Sequence, residues 1–237
     1  MHQPLPRPSR RHLMGLAAPA LVALASGALL VHLPPAQAQP ATSAPAAATL
    51  PDAELAAAFA RFDQAGPGNT AAVDDAAEQF TRLSAAHPAD PVLRAYAGAA
   101  TSMRAVTTML PWRKLSYTED GLALVDKALA QLSSVHEQAL HRGVPAVLET
   151  RFVSASTFLG LPAMFNRAER GRQQLDQVLG SPLLDRAPLP FRATVWLRAA
   201  RLAEDDKQTA RARQWYERVV ASHAPQAAAA RDRLKGL

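Results

Sequence analysis

From about Pro51 to Leu237 the apolar residues recur three and four positions apart, and runs of β-branched residues alternating with polar ones are absent. This period places apolar side chains on one face of a helix and predicts an all-α domain. Leu55, Phe59 and Phe62 mark a first helix that stops at Gly66-Pro67-Gly68-Asn69. Val73, Ala76, Ala77, Phe80 and Leu83 form the face of a second, ending at His87-Pro88. Asp90 is placed to cap a third helix, opened by Pro91 and carried by Val92, Tyr96, Met103 and Val106, and Pro111 breaks the chain after it.

Beyond that break, Leu122, Val125, Leu129 and Leu132 give one face. Val144, Val147, Leu148, Ala155, Phe158 and Leu159 give another, and Phe165, Ala168, Leu175 and Leu179 a third, with Pro162 between the last two. A proline- and leucine-rich loop, 180–188, leads to a final hairpin around Trp196 and Tyr216 and a short closing helix through Ala228 and Leu234. The breaks allow seven or eight helices, and short turns between such helices favour antiparallel packing.

The second helix carries Ala76, Phe80, Leu83 and Pro88. This small, aromatic, apolar and proline spacing resembles the second helix of a tetratricopeptide repeat. The final hairpin is similar, with Trp196 and Ala200 on its first helix, Ala212, Tyr216 and Val219 on its second, and Pro225 closing it one residue late. The resemblance covers both ends of the domain. It implies antiparallel helical hairpins stacked as a short tetratricopeptide-like α-solenoid. Residues 91–180 lack the signature, and the hairpin from Tyr96 to Leu132 exceeds a standard unit.

The start of the chain reads as an address. Residues 1–38 place Ser9-Arg10-Arg11 ahead of an uncharged run, 15–33, ending in Pro34-Pro35-Ala36-Gln37-Ala38: the three parts of a cleaved export signal. The serine before the arginine pair and Leu13 after it resemble the bacterial twin-arginine signal, which implies export in the folded state to the periplasm or beyond. A retained anchor is the alternative, since such a run is long enough to cross a bilayer. Residues 39–50, with no charge, read as a flexible leader. The domain is therefore 51–237. With no cysteine there is neither a lipidation site at the cleavage point nor a disulfide.

Removing the signal changes the charge argument. It holds Arg7, Arg10 and Arg11 and no acid, so 23 Lys and Arg remain against 20 Asp and Glu, and the formal charge falls from +6 to +3. That balance argues against nucleic acid as a partner. Stable membrane insertion after cleavage is not expected either.

Chemistry is sparse. His136 and His141 resemble a zinc-protease helix with one residue too many, and residues five apart point about 140° away from each other on a helix. The plain reading is solvated histidines at helix ends, with no metal. Ser154 and Ser156 lie in an apolar helix, where small residues permit close packing; Asp74-Asp75 and Asp205-Asp206 fall near helix starts or turns, where carboxylates complement the backbone dipole, and Glu204-Asp205-Asp206 reads as a solvated turn. No nucleophile elbow, phosphate-cradling loop or dinucleotide fingerprint occurs, so no enzyme and no cofactor is expected.

Two clusters remain as candidate partner-binding residues. Trp112, Arg113, Lys114 and Tyr117 follow a helix-breaking proline and combine cations with aromatics, a set that recognises acidic or extended peptides. A tryptophan plugging the hairpin corner is the alternative. Arg151, Arg167 and Arg170, with Arg172, form the second set, whose alternative is a solvated basic face. The expected function is that of an exported, non-enzymatic scaffold that binds a protein or peptide. A small-ligand-binding protein with a pocket among the middle helices and the Phe152/Phe158/Phe165 segment is the other reading.

Overall fold

The computed structural model describes residues 52–66 and 68–237, and the stretches expected from sequence to be a cleaved export signal, 1–38, and a leader, 39–50, lie outside them. Among the described residues ten α-helices follow one another: α1 (Asp52–Gln64), α2 (Thr70–Ala86), α3 (Pro91–Met103), α4 (Pro111–Ala130), α5 (Val135–Gln138), α6 (Ala146–Leu159), α7 (Ala168–Leu179), α8 (Leu189–Asp205), α9 (Thr209–Ala221) and α10 (Ala227–Leu234). The described residues are thus all-α apart from one small hairpin, β1 (Leu140–His141) and β2 (Val144–Pro145). The count exceeds the seven or eight expected because single turns such as α5 contain no apolar period to read. Val144, expected on a helix, is in a strand for the same reason.

The capping chemistry matches the breaks. Asn69 accepts from the Ala72 amide at 3.2 Å and starts α2, and Asp90 accepts from Val92 and Leu93 to start α3. Pro91 and Pro111 occupy the first positions of α3 and α4, where a missing N–H costs nothing.

Helix α3 is the hub, packing against α2, α4 and α6. Its composition explains this: Ala95, Ala97, Gly98, Ala99 and Ala100 keep its surface low, and all five are buried. Against α4 the approach is backbone to backbone. A Cβ built on Gly121 would lie 2.2 Å from Ser102 Oγ and 2.5 Å from the Gly98 carbonyl, so only glycine fits. Met103 and Val106, expected on the core face of α3, differ from that reading. The helix ends at Met103, and Val106 follows in a 3₁₀ turn, 104–106, facing solvent.

The core runs through successive clusters. Phe59, Phe62, Phe80 and Tyr96 join α1, α2 and α3, with Tyr96 stacked on Phe80 at 4.9 Å and met edge-on by Phe59 and Phe62. Leu148, Leu175, Val178 and Val195 knit α6, α7 and α8. Trp196, Ala200, Ala212, Tyr216 and Val219 pack α8 on α9. Ala168 is exposed rather than part of the face of α7. Gly171 makes that contact instead, lying against Leu159.

Replacing Gly121 with valine should overpack the α3–α4 contact and lower the unfolding free energy by about 1–3 kcal/mol. Chemical denaturation of the variant measures it, and unchanged stability would contradict the backbone contact.

Candidate functional site

The second helical hairpin is lopsided: α3 has 13 residues and α4 has 20, so the first turns of α4 overhang their partner. Residues 109–116 are all exposed, an unbroken run of eight. Four of them are large and apolar, Met109 at 87% exposure, Trp112 at 66%, Leu115 and Leu110, and Val106 just before the run is also exposed. Trp112 and Leu115, three apart on the helix, share a side, and Arg113 and Lys114 occupy the opposite side. The tryptophan therefore does not plug the hairpin corner.

The base of this tip is fixed. Arg104 bonds Asp74 Oδ1 at 2.8 Å and Glu78 Oε1 at 3.4 Å on α2, and its guanidinium lies 6.0 Å over the Tyr117 ring. Tyr117 is half-buried against the body, one turn below Arg113 and Lys114, and Thr118 donates to the Lys114 carbonyl at 2.8 Å. Asp74, exposed near the start of α2, thus also pairs with Arg104.

The arginine set does not come together as one surface. Arg167 and Arg170 both reach Asp126 on α4, at 3.2 and 2.7 Å, and lie over the Phe158 ring, clamping the start of α7 to α4. Arg172 pairs with Asp206, whose other oxygen it meets at 2.7 Å, tying α7 to the end of α8. These arginines are paired with carboxylates while remaining partly exposed, and in the turn expected to be solvated Asp205 is exposed while Asp206 takes Arg172. Glu204 accepts from the Tyr216 hydroxyl at 2.7 Å. Arg151 stands apart, its Nη1 bonded to Gln174 Oε1 at 2.7 Å and to Gln177 Oε1.

The densest titratable cluster was missed in the sequence. Glu149 on α6 is 1% exposed, and its Oε1 accepts from the Tyr96 hydroxyl at 2.9 Å and from Arg142. Arg142 also donates to the Tyr96 oxygen at 2.9 Å and lies 3.6 Å over the Phe59 ring. It can do so because Arg142-Gly143 is the two-residue turn of the β1–β2 hairpin, with φ of 51° and 78°, the left-handed pair a type I′ turn requires. Beside it His141 Nε2 meets Asp90 Oδ2 at 2.9 Å, so Asp90 caps α3 with one oxygen and holds the hairpin with the other. His141 is therefore an interior strand residue and not a solvated helix end. His136 does sit in the single turn α5, accepting from the Ser133 amide at Nδ1. The sequence signal for the cluster was the phase of Glu149, three residues after Ala146 and four before Val153, both buried.

Burial, then the Glu149 charge, pushes the Tyr96 hydroxyl well above its usual range. For Asp90, burial acts upward but the His141 bond and charge outweigh it, leaving the carboxyl below the usual 3.8. For His141, burial acts downward and Asp90 outweighs it, leaving the imidazole above the usual 6.5.

These groups converge in packed protein rather than in a cleft. The two grooves at hand, about 540 Å³ beside Arg94, Leu124 and Lys127 and about 440 Å³ beside Arg151, are lined by none of them. Among the described residues no three His, Asp or Glu side chains gather as a metal site, and no helix is long and apolar enough to cross a membrane.

Two outcomes follow from the cluster. Arg142→Met leaves Glu149 buried and unpaired and should cost about 3–5 kcal/mol in a denaturant titration. The His141–Asp90 pair should show its sign in the pH dependence of stability. The His141 contribution is fully present below pH 6.5 and lost as pH rises through its raised pKa, and the Asp90 contribution is present above pH 3.8 and lost as pH falls through its depressed one. A stability profile of His141→Ala parallel to the native one across neutral pH would contradict the pair. Comparison with known proteins adds no assignment to this geometry: no protein-family model, curated protein or solved structure matches the chain.

Proposed function

We propose that the chain is an exported, non-enzymatic docking protein, a short tetratricopeptide-like α-solenoid that binds a protein or peptide partner through the tip of the α3–α4 hairpin. The observation that carries this reading is the run 109–116, in which Met109, Leu110, Trp112 and Leu115 face solvent together. Contiguous exposed apolar residues of this kind mark interaction sites, and tryptophan and arginine dominate binding hot spots. Charge states the partner's chemistry: the exposed run 109–116 holds Arg113 and Lys114 and no acid. The matching surface is an apolar pocket edged by carboxylates. Arg167 and Arg170, spent on Asp126, support the body behind the tip rather than the contact.

A photo-crosslinker at position 112 in the exported protein should join it to a partner segment rich in acidic and apolar residues. Trp112→Ala with Arg113→Ala should weaken capture by at least about tenfold and move stability by no more than about 0.5 kcal/mol, since both side chains are exposed. Binding should also weaken as salt rises. Capture unchanged by the double substitution, or binding only to anionic lipid vesicles, would overturn the reading.

A further inference from the structure

A second, independent feature lies where α5, α6 and the end of α7 meet. The open pocket of about 440 Å³ there has Val147, Leu148 and Leu183 as apolar walls and two opposite charges, Arg151 and Glu137, in its lining. Val147 and Arg151 are four apart on α6 and so share a face.

Arg151 is held but not neutralised. Its Nη1 is taken by Gln174 and Gln177, and among the described residues no Asp or Glu oxygen comes within 4.0 Å of its guanidinium. The Nε–Nη2 edge makes no hydrogen bond to them, and this edge is a planar fork that takes a carboxylate through two parallel bonds. Burial alone depresses its pKa, the sign of a cation with no anion against it. The other side of the lining has the opposite character. Gly180 and Ser181 bring the C-terminal end of α7, where unpaired carbonyls carry partial negative charge, and Glu137 adds a full one. That carboxylate disfavours a polyanion such as a nucleotide. The volume lies at the small end of ligand sites.

We propose that this pocket binds a small zwitterion, a free α-amino acid or dipeptide with an apolar side chain. Its carboxylate sits on the Nε–Nη2 edge of Arg151, its ammonium faces Glu137 and the end of α7, and its side chain lies against Val147, Leu148 and Leu183. This site does not depend on the docking tip.

Leucine, 4-methylpentanoate and leucinamide separate the charges, the second lacking the ammonium and the third the carboxylate. Calorimetry on the exported protein should show leucine binding, with each analogue at least about tenfold weaker because one site charge is left unpaired. Arg151→Gln should abolish the preference for leucine over leucinamide, and Glu137→Gln the preference over 4-methylpentanoate. Amide shifts on leucine addition to the native protein should cluster at residues 147–151 and 177–183, a readout that holds even if a variant fails to fold. No binding of leucine at millimolar concentration, equal binding of all three probes, shifts elsewhere, or unchanged affinity in a folded Arg151→Gln variant would overturn the proposal.

Discussion

The contact on which the molecule depends is the meeting of α3 and α4 at Gly98 and Gly121. Two helices without Cβ atoms at their crossing come together until backbone touches backbone, and the buried alanines of α3 extend that close fit to its other neighbours. Because α4 is pinned at Gly121, near its middle, and α3 ends at Met103, the first turns of α4 run past the end of α3 with only the 104–106 turn beside them. The exposed tip is thus a geometric result of where the small residues stand. Arg104, bonded to α2 and lying over Tyr117, ties the base of the overhang to the body.

A second constraint works through charge. Glu149 is a carboxylate at a core position, and taking it out of water is costly unless its partners are well placed. They come from three distant parts of the chain: Tyr96 from α3, Arg142 from the hairpin turn, and the Phe59 face beneath Arg142 from α1. The left-handed conformation of Arg142 is the backbone cost of delivering a guanidinium there, and the packed surroundings sustain it. A single charge thereby couples α1, α3 and α6, with the 140–145 hairpin as the connector.

Much of this was legible in the residues. The apolar period gave α2 and α9 because their inner faces are apolar at each turn, with only Ser84 at the end of α2 a buried polar exception. The breaks at Asn69, Asp90, Pro91 and Pro111 were readable because caps and prolines act locally. Trp112, Arg113 and Lys114 could be named as a group from adjacency, but whether Trp112 filled a corner or faced solvent depended on the length of α3 relative to α4, a tertiary matter. The roles of Arg167, Arg170 and Arg172 were not readable, since their carboxylates lie 34 to 44 residues away in sequence. Glu149 was the most informative residue overlooked: a charge in the phase of the core has to find a counter-charge, and that search leads to Arg142.

The Glu149 junction also differs in range from the rest of the helix packing. Most helix contacts join neighbours in sequence, α2 to α3, α3 to α4, α6 to α7, α8 to α9 and α9 to α10, and such hairpins close over short loops. The joins of α6 to α3 and α4 are different, because Tyr96 and Glu149 are separated by 53 residues and neither is content in the interior alone. The local hairpins thus close over short loops, whereas the join of α6 to α3 spans 53 residues and takes a carboxylate and a phenol into the interior against a guanidinium that stays partly exposed.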